Sequence, residues 1–271
     1  MGAVSQSAEI NEAYLRAQFQ RCSDFVLRSF TLRDETRLML VYLDGMIRSE
    51  SVEDNFLKPL LFDGLPQGID RISSLVEMFR REWLPLTSIK TEDSLDGLVT
   101  CVLQGCLGIL VDGETSALVA QVQGYEKRGI EEPQKESTLR GSKEGFVEHL
   151  RTNTSLIRRR IVHPQLKMES YTVGKYTQTE VVLSYMQGIA DEQVLSVVRD
   201  KLDKIDTDGV IDSAYIEEWL ENNSFSIFPQ VQNTERPDVV VASLLEGKVA
   251  LIANGTPSVL ILPITLWSGL Q

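Results

Sequence analysis

Residues 103–118 read LQGCLGILVDGETSAL, and residues 245–260 read LEGKVALIANGTPSVL. Both pass from Leu through a polar residue and Gly into six mostly apolar residues. An Asp-Gly or Asn-Gly pair follows, and a Ser restarts an apolar run. The copies lie 142 positions apart without a gap. Ahead of the first, Ser94 opens a predicted helix with Leu95, Leu98, Val99, Val102 and Leu103 on one face. Gly105 suits the left-handed position after its last turn. Cys106–Val111 and Ser116–Val122 then read as strands joined at Asp112-Gly113, a pair that tolerates positive φ. The second copy repeats the plan. A helix starts near Pro237, a favoured first-turn residue, and Gly247 ends it. Strands Val249–Ala253 and Ser258–Pro263 flank Asn254-Gly255. Two helix–hairpins can look alike by chance, but an ungapped match across helix end, strand length and turn argues for a repeat. With 271 residues, the chain is long enough for two domains, each burying roughly two thirds of its unfolded surface.

The rest of the pattern fits two halves. A first helix is expected over Ala8–Arg21, with Ile10, Tyr14, Leu15 and Phe19 inward. Strands are expected at Phe25–Leu32 and Arg37–Ile47. Ser51 and Asp54 form a capping-box pattern for a helix with Val52, Phe56 and Leu60, and a further helix is expected within Leu65–Ser88. A charged, apolar-poor stretch places the boundary near residues 125–142, giving a first subdomain over 1–135 and a second over 143–271. The second is expected to hold a helix at Lys143–Ile161 with Phe146, Leu150, Ile157 and Ile161 inward. A hairpin (Met168–Val173, Glu180–Gly188) follows, then helices at Glu192–Ile205 (Leu195, Val198, Leu202 inward) and Ser213–Asn222. Helices interrupt hairpins throughout. The expected fold class is therefore α/β: two similarly built subdomains, each a small mixed or antiparallel sheet with helices on its faces.

Composition and motifs exclude several functions. A net charge of -12 and a pI near 4.8 make a poor nucleic-acid binder, since phosphate attraction needs clustered positive charge. Three cysteines (Cys22, Cys101, Cys106) without framework spacing suit a reducing compartment. The first twenty residues lack the apolar run of a leader. Gln6 stands where a myristoylation motif at Gly2 needs Ser or Thr. The longest apolar run, Ser258–Trp267, is too short to span a bilayer, and the stop at LPITLWSGLQ reads as a fragment end. Around Asp206, Asp208 and Gly209 a calcium loop is suggested, but its first and last ligands would fall on Lys204 and Tyr215, which defeats it. His149 and His163 have no His or Cys partner at zinc-ligand spacing. The nearby aromatics Tyr171, Tyr176, Tyr185 and Trp219 read more readily as core or rim than as a stacking site. Nucleotide and nucleophile-elbow motifs do not occur. The expectation is a protein that is not an enzyme and carries no metal or cofactor.

One run stands out: LRGSKEGFVEHLRTNTSLIRRRI, Leu139–Ile161. Cations complement the negative end of a helix, yet Arg158, Arg159 and Arg160 exceed that need. Two of the three are expected to point outward, as a contact surface for carboxylates or an anionic membrane face. This run resembles the signature region of the A subunits of GerA-type spore germinant receptors. The resemblance rests on Arg140, Gly141, Lys143, Glu144, Gly145, Phe146, Glu148, Leu150, Asn153 and Arg158–Arg160. Ser142 departs from the family's usual Pro but can still cap a helix; His149 and Thr154-Ser155 also vary. DFVLRSFTL, LVYLDGMI and NGTPSVLILPITLWS are similar to other parts of the family's amino-terminal region.

The resemblance implies a role in nutrient-triggered spore germination. It implies a soluble amino-terminal domain facing the spore core, joined to a part in the inner spore membrane, and partners in the receptor B and C subunits and other A subunits. No catalytic residue carries over. Two readings follow. In the first the domain is an assembly and signal-relay module, with Arg140, Lys143, Glu144, Arg158, Arg159 and Arg160 as interaction candidates. In the alternative a small-molecule germinant or metabolite sits in a cleft between the halves. The repeated phrase is scaffold in both.

Overall fold

The structure, a computed structural model, describes residues 2–31, 35, 37–48, 52, 58, 89–122, 144–220 and 231–263. The boundary expected at 125–142, the helix expected within Leu65–Ser88 and, apart from Val52 and Lys58, the helix expected from Ser51 lie outside the described residues. The chain forms two compact units. Unit 1 comprises Met1–Gln20, Asp24–Tyr125 and Val162–Pro164; unit 2 comprises Arg21–Ser23, Glu126–Ile161 and Gln165–Gln271.

Unit 1 begins with α1 (Ala8–Gln18) and strands β1 (Phe25–Thr31) and β2 (Arg37–Leu43). Then come β3 (Ile89–Glu92), α2 (Leu95–Leu103), β4 (Leu107–Val111) and β5 (Ala117–Ala120). The strands form one five-stranded sheet, order β1-β2-β4-β5-β3, and every pair is antiparallel. Ser94 caps α2 by accepting from the Gly97 N–H at 3.3 Å, and the five apolar residues predicted for its inner face are all buried. α1 departs from expectation. Ile10 is 59% exposed, while Asn11 takes the inward position at 2%.

Unit 2 repeats this order. It holds α3 (Leu150–Arg158), β6 (Leu166–Val173), β7 (Thr179–Met186), α4 (Glu192–Asp203) and α5 (Ser213–Leu220). β8 (Gln232–Thr234), α6 (Pro237–Leu245), β9 (Val249–Ala253) and β10 (Val259–Leu262) complete it. Its sheet runs β6-β7-β9-β10-β8, again antiparallel and five-stranded, the same order with each strand replaced by its counterpart. One face packs Leu183, Tyr185 and Leu251 against Leu195, Val198 and Leu202 of α4 and Ile216 of α5. The other packs Val182, Ala250 and Ile252 against Leu156 and Ile157 of α3 and Val240 and Leu244 of α6. That is the alternation of strand side chains distributing one sheet between two helical layers. Along the outer edge of β6, Arg21–Ser23 make a single parallel bridge, with Ser23 N–H donating to Met168 O at 2.8 Å.

Among the described residues the repeat therefore extends beyond the phrase to all five strands of each sheet and to two helices of each unit. α2, β4 and β5 recur as α6, β9 and β10 at the same 142-residue offset. The first hairpin is one residue longer on each strand in unit 2, at eight against seven. Hydrogen bonds recur as well. In unit 1 the Ala8 N–H donates to Asp112 Oδ1 at 2.9 Å and the Gly113 N–H to Gln6 O at 2.8 Å. In unit 2 the Leu150 N–H donates to Asn254 Oδ1 at 3.2 Å and the Gly255 N–H to Glu148 O at 2.8 Å. The turn of the repeated phrase thus caps the unit's first helix. Gly113 (φ 87°) and Gly255 (φ 91°) supply the left-handed residue that such a turn requires.

Candidate functional site

The helix predicted over Lys143–Ile161 begins at Leu150. Residues 144–148 are non-helical because other groups claim their backbone. The Phe146 N–H donates to Glu235 O at 2.9 Å. Asn153, fully buried, accepts from the Val147 N–H at 2.8 Å and donates to Val147 O at 2.5 Å. Unit 1 builds the same pair: Asn11 accepts from the Ser5 N–H at 2.9 Å and donates to Ser5 O at 2.7 Å. His149 fills the capping position, its side chain accepting from the Thr152 N–H. The cap expected of Ser142 is therefore supplied seven residues later. Ser142, Arg140 and Lys143 lie outside the described residues.

The arginine triplet closes α3. Arg158 is 1% exposed and donates to Leu166 O at 2.9 Å, so it faces inward as a structural cation at the negative helix end. Arg159 donates to Glu144 Oε1 at 2.9 Å, and Arg160 pairs with Glu144 Oε2 while also donating to Leu156 O at 2.8 Å. One carboxylate thus holds two guanidinium groups, each about one-fifth exposed (22%). Burial opposes the charge on Glu144, but the Arg160 hydrogen bond and the charges of Arg159 and Arg160 outweigh it and hold the carboxyl below its ordinary value. In unit 1 the positions matching Glu144, Arg159 and Arg160 are Gly2, Ala17 and Gln18. The ionic lock belongs to the second copy alone.

A second polar centre went unpredicted. Glu169 of β6 accepts from Arg199 of α4 at 2.8 and 3.1 Å, from Tyr185 Oη at 2.6 Å and from Tyr171 Oη at 3.1 Å. Arg199 also lies over the Tyr185 ring, 5.4 Å from its centroid. Burial, then the Glu169 charge and hydrogen bond, pushes the Tyr171 phenol up to about 12. Tyr171 and Tyr185 are thereby committed within the unit, whereas Tyr176 is 83% exposed. The signal available in sequence was Arg199 itself, four residues after Leu195 and three before Leu202 on an apolar helix face. The segment read as a calcium-loop mimic is a bound turn. Lys175 pairs with Asp206, the Tyr176 N–H donates to Asp208 O at 2.8 Å, and the Val210 N–H donates to Thr177 Oγ1 at 3.0 Å. Among the described residues no group of three or more His, Cys, Asp or Glu could hold a metal ion, and no helix is long and apolar enough to cross a membrane.

The Bacillus/Clostridium GerA spore germination protein family matches residues 13–271. An uncharacterized membrane protein, YfkQ, of Bacillus subtilis is 39% identical over 268 residues, 99% of this chain and 51% of that protein. Spore germination protein KA of the same organism is 38% identical over 262 residues, 96% of this chain and 47% of that protein. The chain spans about half the length of these curated relatives. The crystal structure of the N-terminal domain of the A subunit of the Bacillus megaterium spore germinant receptor GerK3 is similar, with a TM-score of 0.75, 27% identity and 98% coverage of both chains.

Proposed function

The chain belongs to the Bacillus/Clostridium GerA spore germination protein family, and from that premise we propose that its two units are the assembly and signal-relay part of a germinant-receptor A subunit. The observation that carries this reading is the lock in unit 2. Glu144 ties the non-helical stretch ahead of α3 to the end of that helix, the two Asn153 bonds to Val147 tie it again, and the Gly255 N–H, donating to Glu148 O, ties it to the turn of the last hairpin. Displacement of that stretch moves α3 and, through the α3 and α6 layer, the sheet beneath it; a stiff input of this kind suits relay. Arg159 and Arg160 keep their remaining exposure for carboxylates of a partner, while Arg158 supports the helix from inside. Arg140 and Lys143, from the same signature run, complete the proposed contact.

In this reading the partners are the B and C subunits and other A subunits, the site of action is the inner spore membrane with these units on the core side, and the units perform no catalysis. The test is Arg159→Gln in the full-length receptor in spores, since Arg160 remains to hold Glu144. The expected result is normal accumulation of the A subunit with reduced co-purification of the B and C subunits and slower nutrient-triggered germination. Wild-type co-purification and wild-type germination would refute the contact role.

A further inference from the structure

Helix α2 ends in a motif that brings two cysteines together. The Cys106 N–H donates to Cys101 O at 3.0 Å and the Gly105 N–H to Val102 O at 3.0 Å, with Gly105 at φ 84°; this is a Schellman ending, in which the side chains three before and two after the cap commonly meet. Standard bond lengths set a ceiling on their separation: with N···O at 3.0 Å, the two α-carbons lie no more than about 7 Å apart, at the edge of the span a disulfide bridges. Unit 2 builds the same ending from Ser243 and Lys248, with the Lys248 N–H donating to Ser243 O at 3.0 Å. The backbone therefore forms without sulfur at these positions, and the pair in unit 1 is chemistry added to the fold.

We propose that Cys101 and Cys106 are a dithiol site that small-molecule disulfides oxidise to an intramolecular Cys101–Cys106 disulfide. Exposure assigns the roles. Cys101 is partly exposed and Cys106 is buried at 5%, so Cys101 is the entry thiol and Cys106 the resolving one. The Cys101 thiolate attacks one sulfur of the oxidant, forming a mixed disulfide and expelling a thiolate that takes up a proton. The Cys106 thiolate then attacks Cys101 Sγ, the mixed disulfide breaks, and a second thiol leaves. Two cysteines are oxidised and one disulfide is reduced to two thiols. Burial, with the Glu92 charge for Cys101 and the neighbouring Cys101 for Cys106, pushes both thiols up, so the pair rests neutral and reacts faster as pH rises. The third cysteine, Cys22, lies in unit 2 with its thiol directed at Leu166 O.

The test titrates the 271-residue chain with oxidised glutathione and follows the tryptic peptide carrying both cysteines by mass spectrometry. The expected wild-type product has lost two hydrogens, resists alkylation at both cysteines, forms faster at higher pH and reverts with dithiothreitol. Cys106→Ser is expected to stop at a persistent glutathione adduct on Cys101. Both thiols remaining alkylatable throughout, or a glutathione adduct persisting on the wild type, would overturn the proposal. The decisive reading uses the wild-type chain and does not depend on a variant folding.

Discussion

Replacing Asn153 with Ala should destabilise unit 2 by about 2 kcal/mol, and its counterpart Asn11→Ala should cost unit 1 a similar amount. Each Asn is buried and makes two hydrogen bonds to one backbone unit, Val147 or Ser5. A net value of about 0.5–1.5 kcal/mol per bond gives about 1–3 kcal/mol for the pair. Val147 and Ser5 are only partly buried, so water recovers some of the loss and keeps the sum off the upper end. Asn153→Asp separates the bonds. Its carboxylate still accepts from the Val147 N–H but faces Val147 O without a proton to donate, so it is destabilising at neutral pH. Protonation restores the donor, raising the folded-state pKa above the unfolded one, and stability should return as pH falls. Urea unfolding monitored by far-UV circular dichroism, with tryptophan fluorescence as a second probe, measures these changes. Costs below about 0.5 kcal/mol at both Asn→Ala positions, or a stability of Asn153→Asp independent of pH, would refute the reasoning.

Three further outcomes are expected. Gly255→Ala should cost about 1–2 kcal/mol from its positive φ alone, since an added Cβ there meets nothing within 4 Å; Gly247→Ala should cost more, because its Cβ would stand 2.9 Å from Ile189 O, and thermal unfolding ranks the two. Asn254→Asp should leave the melting temperature unchanged or slightly raised, since Asp112 performs the same cap in unit 1 and a carboxylate favours a helix N-terminus; a large drop would contradict the equivalence. Glu144 has a lowered folded pKa. Its stabilisation is complete above the unfolded carboxyl value, about 4.3, and is lost as pH falls through the folded value; Glu144→Gln should remove that part of the acid dependence in urea titrations.

Where the chain alternates or runs apolar, the structure could be read from sequence. α2, β4 and β5 and their counterparts stand where apolar spacing and the Gly positions put them. The start of α3 could not be read this way, because Phe146 and Leu150 sit at helical spacing while the backbone between them is drawn off by Asn153, Asn254 and Glu235. Asn11 misled for the same reason. A polar residue reads as outward until its bonds to Ser5 are known, so apolar spacing alone puts Ile10 on the face that Asn11 occupies. The likeness of the two halves is literal in the sequence only at the repeated phrase, because matched positions elsewhere, such as Val4 with Phe146 or Leu15 with Ile157, share burial and not identity. Of the candidate site, the residues of the Arg158–Arg160 run were visible, but the direction of Arg158 and the hold of Glu144 on its two neighbours depend on a turn that pattern does not encode. The Glu169 centre draws on β6, β7 and α4, so no single window of sequence contained it.

The cap on each unit's first helix comes from the other end of that unit's chain, 104 residues later in both cases. During synthesis the amino end emerges first, so α1 waits with an open donor until Asp112 and Gly113 have been made, and α3 waits for Asn254 and Gly255. Neither unit can be finished piecemeal from its beginning. Each is closed by its last hairpin, as a clasp closes a chain, and a truncation that removes only that hairpin leaves the first helix of the unit unfastened as well.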